Sequence, residues 1–162
     1  MDLRQEIYSL LEEAGPGHMM ATAYDTAWVA RLAEIGEPIG KRALDWIRRH
    51  QLEDGSWGAS RPYYYHDRTV STLAAINALA RQGDPQDSAR LARAERALEM
   101  ALKGLDRDPA GETIGFEMIV PTLLNEAQSL GAIDHQGAQV IRHLAPKRSA
   151  KLALLPDGMI SR

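Results

Sequence analysis

The sequence predicts an all-α fold, and three observations carry that prediction. Apolar residues recur three or four apart in nearly every segment, the spacing that lines one face of a helix. Glycine and proline punctuate the joins between these segments. No run alternates β-branched and polar residues for long enough to demand a sheet. The pattern reads as roughly six to eight helices with short connections, suited to hairpins packed in a ring or bundle.

The elements follow in order. Leu3, Ile7, Leu10 and Leu11 make a short amphipathic stripe, stopped by Gly15-Pro16-Gly17. A second stripe starts near Thr22, sets Trp28, Leu32 and Ile35 on one face, and ends at Gly36. A third, from about Lys41 to His50, carries Leu44, Ile47 and the neighbouring Trp46. The turn residues Glu53-Asp54-Gly55-Ser56-Trp57-Gly58 break it. After Tyr63-Tyr64-Tyr65, a fourth stripe holds Val70, Leu73, Ile76 and Leu79, with Gly83 as its stop. Asp84-Pro85 is a cap and first-turn pair, because proline has no N–H to lose there. The next stripe is Leu91, Ala94, Leu98, Leu102 and Leu105. Pro121 lies inside a helix-like stretch from Thr113 to Leu130, which predicts a kink or a late start. Asp134 caps a last clear segment with Val140, Ile141 and Leu144, and the stretch from Lys147 to Arg162 is undecided.

Composition narrows the function classes. The chain has 162 residues, 44% hydrophobic and 25% charged, with no cysteine and a formal net charge of −3. At about 100–200 residues per domain this is one domain, or one plus a fragment. A chain of this length buries about 68–70% of its unfolded surface, enough for an ordinary core. The absence of cysteine excludes disulfides, thiolate metal sites and thiol chemistry. A weakly acidic chain lacks the basic footprint of a nucleic-acid binder. No run approaches the roughly 18 apolar residues of a membrane span, and MDLRQEIYSLLEEAG does not read as a signal peptide. The expectation is a cytoplasmic globular domain without nucleic-acid partners; homo-oligomerisation is left open.

Three groups carry candidate chemistry. Gln51 at a helix end can satisfy orphan carbonyls through its amide, and Trp57 adds a large apolar face, which points to a stabilising role. Asp106, Asp108, Glu112 and Glu117 supply oxygens suited to a hard cation such as Mg²⁺. From spacing alone a solvated acidic loop is the simpler reading of them. Lys147, Arg148 and Lys151 lie further along the chain, where cations facing those carboxylates would make a diphosphate clamp. The histidines His18, His50, His66, His135 and His143 show no metal-ligand spacing, and the adjacent His66-Asp67 is a weak acid/base pair. There is no nucleophile elbow, phosphate-cradling glycine loop or HExxH.

Five contiguous stretches, from Ala23 to Ala30, Leu44 to Gly58, Asp67 to Ala75, Ile114 to Leu124 and Lys151 to Pro156, together resemble motifs of the class II diterpene cyclases. Ala23-Tyr24-Asp25-Thr26-Ala27-Trp28-Val29-Ala30 resembles their SAYDTAWVA signature. Leu44-Asp45-Trp46 through Gln51 to Gly58 resembles their first QW-type motif, shared more loosely with squalene cyclases. Asp67 to Ala75 is similar to the helix that follows. Ile114-Gly115-Phe116-Glu117 through Pro121-Thr122-Leu123-Leu124 resembles the GFE…P-S/T-L-L stretch, and Lys151-Leu152 through Pro156 the KLxxIP segment. The matches occur in family order and span most of the chain.

The resemblance implies an α/α-barrel of the γ-domain type. Residues 1–35 would be a helical segment belonging to the family's β domain, and 36–162 the γ-type barrel. It implies a geranylgeranyl diphosphate substrate, held between the γ and β domains and converted to a bicyclic diphosphate by protonation-initiated cyclisation with the diphosphate retained. By the same resemblance Glu117 matches a residue implicated in Mg²⁺ and diphosphate binding, and Lys151 a lysine that contacts the diphosphate. Asp106, Asp108 and Glu112 match the acidic motif only loosely, while Tyr24, Asp25, Trp28, Gln51 and Trp57 belong to the structural motifs. One departure is large: the family's proton donor is the middle aspartate of a D-x-D-D motif, and none occurs in this sequence. The family's histidine–asparagine pair would also fall beyond Arg162. The chain alone is therefore expected to be inactive. Two other readings stand beside this one: a non-catalytic prenyl-diphosphate-binding or assembly module that pairs with a separate β-domain chain, and a triterpene cyclase relative. Lys151 and the acidic cluster argue against the last.

Overall fold

The computed structural model describes residues 3–14, 21–108, 114–134 and 138–154, and among them every regular element is helical. These are α1 (Leu3–Ala14), α2 (Ala23–Ala30), α3 (Pro38–Arg49), α4 (Tyr65–Gln82), α5 (Ser88–Gly104), α6 (Phe116–Ser129) and α7 (Ala138–Leu152). Short 3₁₀ turns at Arg31–Ile35, Pro85–Asp87 and Leu105–Arg107 join them. None of the described helices is long and apolar enough to cross a membrane.

Local chemistry sets the ends. Thr22 caps α2, its hydroxyl accepting the Asp25 N–H at 3.1 Å and donating to the Asp25 carboxylate at 2.6 Å. Pro38 opens α3, where its missing N–H costs nothing. Gly83 closes α4 with φ 61°, and the Asp84 side chain accepts the Gln86 N–H at 3.0 Å to start the next turn. α6 begins at Phe116, later than Thr113, with Pro121 inside it.

α4 is the axis of the fold. It packs against α2, α3, α5 and α6, and residues from His66 to Leu79 are buried around its whole circumference except at Asp67 and Val70. The expected stripe of Val70, Leu73, Ile76 and Leu79 is only part of that surface, because neighbours lie on every side. Ala94 and Leu98 of α5, Val120, Leu123, Leu124 and Ala127 of α6, and Leu144 of α7 complete the core.

α2 departs from its expected orientation. It buries Ala23, Ala27 and Ala30, whereas Trp28, Leu32 and Ile35 are 42%, 40% and 74% exposed. The cause is close approach: helix separation follows the size of the side chains at the contact, so a small-residue face packs tightest. α2 and the following 3₁₀ turn share one core with α3 and α4, so residues on both sides of position 35 pack together. At Gly40 a β-carbon would lie 2.1 Å from the Ala33 amide nitrogen, on backbone that has no way to swing aside. Gly40→Ala is expected to lower unfolding stability by about 1–3 kcal/mol in urea denaturation, the cost of overpacking; an unchanged midpoint would show that α3 can move away freely.

Candidate functional site

Glu117 is the second residue of α6, after Gly115 in the left-handed region at φ 79°. At that position backbone N–H groups lack helical partners and a carboxylate is favoured. The residue is only 4% exposed. α7 packs on α6 and brings Lys151, from its last turn, against Glu117 Oε1. The Lys151 ammonium holds the Glu117 carboxyl below its ordinary 4.5; the residue's own N–H adds to this, burial opposes it, and the Lys147 charge contributes. Oε1 is buried, and the Lys151 ammonium is its contact. The lysine side chain itself is 55% exposed. Arg148, on the same helix, keeps a buried Nε without a hydrogen-bond partner.

Asp108 has another task. Its carboxylate accepts the N–H groups of Tyr65 at 2.9 Å and His66 at 2.8 Å, capping the first turn of α4 from across the fold. Its Oδ2 also meets His66 Nδ1 at 2.5 Å, so that ring nitrogen carries the shared proton. Burial by itself would raise the Asp108 carboxyl, but the two backbone donors and the His66 ring overcome it and hold the group below 3.8. The His66 ring sits edge-on to Phe116 at 4.6 Å, immediately before Glu117. The capped end of α4 and the start of α6 are thus joined through one aromatic contact.

The remaining acidic candidates do not join these two. Asp106 is exposed on its 3₁₀ turn, and Glu112 lies outside the described residues. Among the described residues, no group of three or more His, Asp or Glu side chains is placed to hold a metal ion. Of the described carboxylates, Asp108 accepts N–H donors from Tyr65 and His66, and Glu117 faces the Lys151 ammonium.

Gln51, Trp57 and their neighbours build a corner of the fold. Gln51 Nε2 donates to the Gly55 carbonyl at 2.9 Å and to the Arg90 carbonyl at 3.0 Å, and its oxygen accepts from Arg93. The carbonyls it satisfies belong to the loop and to α5, while the end of α3 is closed by His50 Nδ1 on the Trp46 carbonyl at 2.8 Å. Trp57 is fully buried and its indole N–H donates to the Ile47 carbonyl at 2.8 Å. Arg68, 3% exposed, ties Asp54, Ser56 and the Ala59 carbonyl together, a buried cation that no spacing announces. Asp67 accepts the Ala59 N–H at 2.8 Å and the Ser71 hydroxyl, so the partner of His66 is Asp108 rather than its neighbour. Tyr24 meets Trp28 edge-on at 6.2 Å, and the Arg31 guanidinium lies 3.8 Å over the indole.

No family model matches the chain. A type B diterpene cyclase of Mycobacterium tuberculosis is 40% identical over 95% of this chain and 32% of its own length. An ent-copalyl diphosphate synthase of Zea mays, chloroplastic by name, is 32% identical over 99% of this chain and 20% of its own. Among solved structures, ent-copalyl diphosphate synthase from Arabidopsis thaliana, in complex with (S)-15-aza-14,15-dihydrogeranylgeranyl thiolodiphosphate, superposes with a TM-score of 0.76 at 29% identity, over 94% of this chain and 22% of that one. Abietadiene synthase from Abies grandis gives 0.75 at 28% identity, over 97% and 22%. The chain spans about a third or less of the length of the relatives it matches. With Tyr24-Asp25, the Gln51–Trp57 corner and the Glu117–Lys151 pair all held in one helical framework, this chain is a homologue of the class II diterpene cyclases.

Proposed function

We propose that the chain is the N-terminal, γ-type part of a class II diterpene cyclase that converts geranylgeranyl diphosphate to a bicyclic, copalyl-type diphosphate. The observation that supports this most is the Lys151 ammonium set against a buried carboxylate at the start of α6, with the Lys147 charge acting on the same group. The thiolodiphosphate bound by the Arabidopsis relative supports the substrate class.

In this reading the chain's residues act on the end of the substrate that does not react. Lys151 and Lys147 balance the diphosphate charge, and fixing that end orients the distant alkene toward an acid. Binding energy spent there counts toward the reacting end because both belong to one molecule. The acid itself is supplied by a β domain carrying D-x-D-D, since no residue of this chain matches that role. Mg²⁺, when bound, would neutralise part of the diphosphate charge. We place it with the incoming diphosphate rather than in a carboxylate cage of this chain, and Glu117 is a carboxylate on which both lysine charges act.

The test is an assay of the chain with geranylgeranyl diphosphate and Mg²⁺, with and without a separate chain carrying the D-x-D-D barrel. The expected result is no bicyclic diphosphate from this chain alone and turnover from the mixture. Product from the chain alone would overturn the assignment of the acid elsewhere. In the mixture, Lys151→Ala is expected to raise KM roughly tenfold, equal to about 1.4 kcal/mol of lost binding; an unchanged KM removes Lys151 from the clamp.

A second reading, an assembly module without catalysis, is favoured by the exposure of Trp28 on α2, Leu32 and Ile35 on the 3₁₀ turn that follows, and Ile39 at the start of α3. In that case the mixture would form a complex and bind substrate but give no turnover.

A further inference from the structure

We infer that Glu117 is the resting counter-ion of the anion site: its carboxylate holds the Lys151 ammonium until a diphosphate takes the lysine from it. The inference rests on the diphosphate reading above and adds a competitor to it. The two partners of the pair are held very differently. Glu117 is 4% exposed in the first turn of α6, whereas the Lys151 side chain is 55% exposed on the last turn of α7. A lysine carries its charge on a flexible four-carbon stem, so the lysine is the member that moves.

The seat it leaves is made for a cation. Oε1 of Glu117 is buried, and the ammonium is its charge partner. The main-chain oxygen of the same residue is short of a donor. Within α6 it would accept from the residue four positions on, and that residue is Pro121, which has no N–H.

When Lys151 leaves, the carboxylate is not stranded. Its own N–H and the start of α6 still favour a negative charge, and the Lys147 field remains. The exchange is thus one anion for another on a single ammonium. Its consequence is that Glu117 weakens diphosphate binding in the absence of a metal ion.

Titration of the full chain with inorganic pyrophosphate, without divalent metal and followed by NMR of the lysine ammonium and glutamate carboxylate resonances, tests this. Glu117→Gln, which keeps the shape and removes the charge, is expected to bind pyrophosphate about fivefold tighter than the wild type, the scale of one partly exposed ion pair. Equal or weaker binding by a folded Glu117→Gln chain overturns the inference. The wild type gives a second readout that needs no variant: the Glu117 carboxylate resonance should shift as pyrophosphate saturates, and a resonance that stays fixed also overturns it. Lys151→Met separates the two levels. If it binds pyrophosphate as well as the wild type, or if no form binds pyrophosphate, the diphosphate reading itself falls. If it binds weakly while Glu117→Gln shows no gain, the counter-ion role falls alone.

Discussion

Trp57→Ala is expected to remove about 3–5 kcal/mol of unfolding free energy, the largest effect of any single truncation in this fold. The side chain is fully buried between the end of α3 and the body of α4. Its loss empties the volume of an indole in a corner whose backbone is already bound, since the Trp57 N–H donates to the Thr72 hydroxyl at 3.0 Å. It also takes the indole donor at 2.8 Å from the Ile47 carbonyl, which keeps the longer bond from the His50 N–H at 3.3 Å. Trp57→Phe keeps most of the apolar contact and is expected to cost about half as much. Urea denaturation followed by circular dichroism measures both. A loss below about 1 kcal/mol for the alanine variant would mean that the corner collapses to fill the space.

Asp108→Ala is expected to cost about 3 kcal/mol at pH 7, through the loss of charged hydrogen bonds to two helix N–H groups and one imidazole. Because both His66 donors are buried and the Tyr65 N–H is partly buried at the start of α4, water cannot readily take the place of the carboxylate. The same residue gives a pH signature. Its folded carboxyl titrates below the ordinary 3.8, so the folded state binds the proton less readily than the unfolded chain does. The stabilisation is therefore complete above about pH 4 to 5 and is lost as pH falls through the lower, folded value. Glu117, held below 4.5 by Lys151, acts in the same direction. Urea midpoints of the wild type should fall steeply between about pH 5 and pH 2, and those of Asp108→Ala should fall less, with the Glu117 share remaining. Parallel acid limbs in the two proteins would show that Asp108 is not held ionised by its partners.

Much of the local structure was legible because its causes are local. The stop at Gly36, the stop at Gly83 and the Asp84-Pro85 start all stand where turn chemistry puts them. The stripe of Leu91, Ala94, Leu98, Leu102 and Leu105 faces inward as its spacing requires. The α2 stripe failed for an equally physical reason: Ala23, Ala27 and Ala30 carry a weak hydrophobic signal, yet small size is what a close contact selects.

The candidate site divides in the same way. Residue type made Glu117 and Lys151 candidates, and the fold sets them together although they lie on different helices. The pairing of Asp108 with His66 spans 42 residues, and the neighbouring Asp67 offered a nearer but wrong partner. Arg68 could not have been singled out, since an arginine beside an aspartate reads as an exposed pair until the loop folds over it.

By itself the sequence determined the described helices, the stops at Gly36 and Gly83 and the resemblance to diterpene cyclases, because periodicity, glycine, proline and contiguous motifs are properties of neighbours along the chain. Only the tertiary structure decided which face of α2 turns inward, that Asp108 serves as a helix cap, and that Lys151 meets Glu117. Those outcomes depend on which helix ends arrive side by side, and helix spacing along a chain carries no record of that.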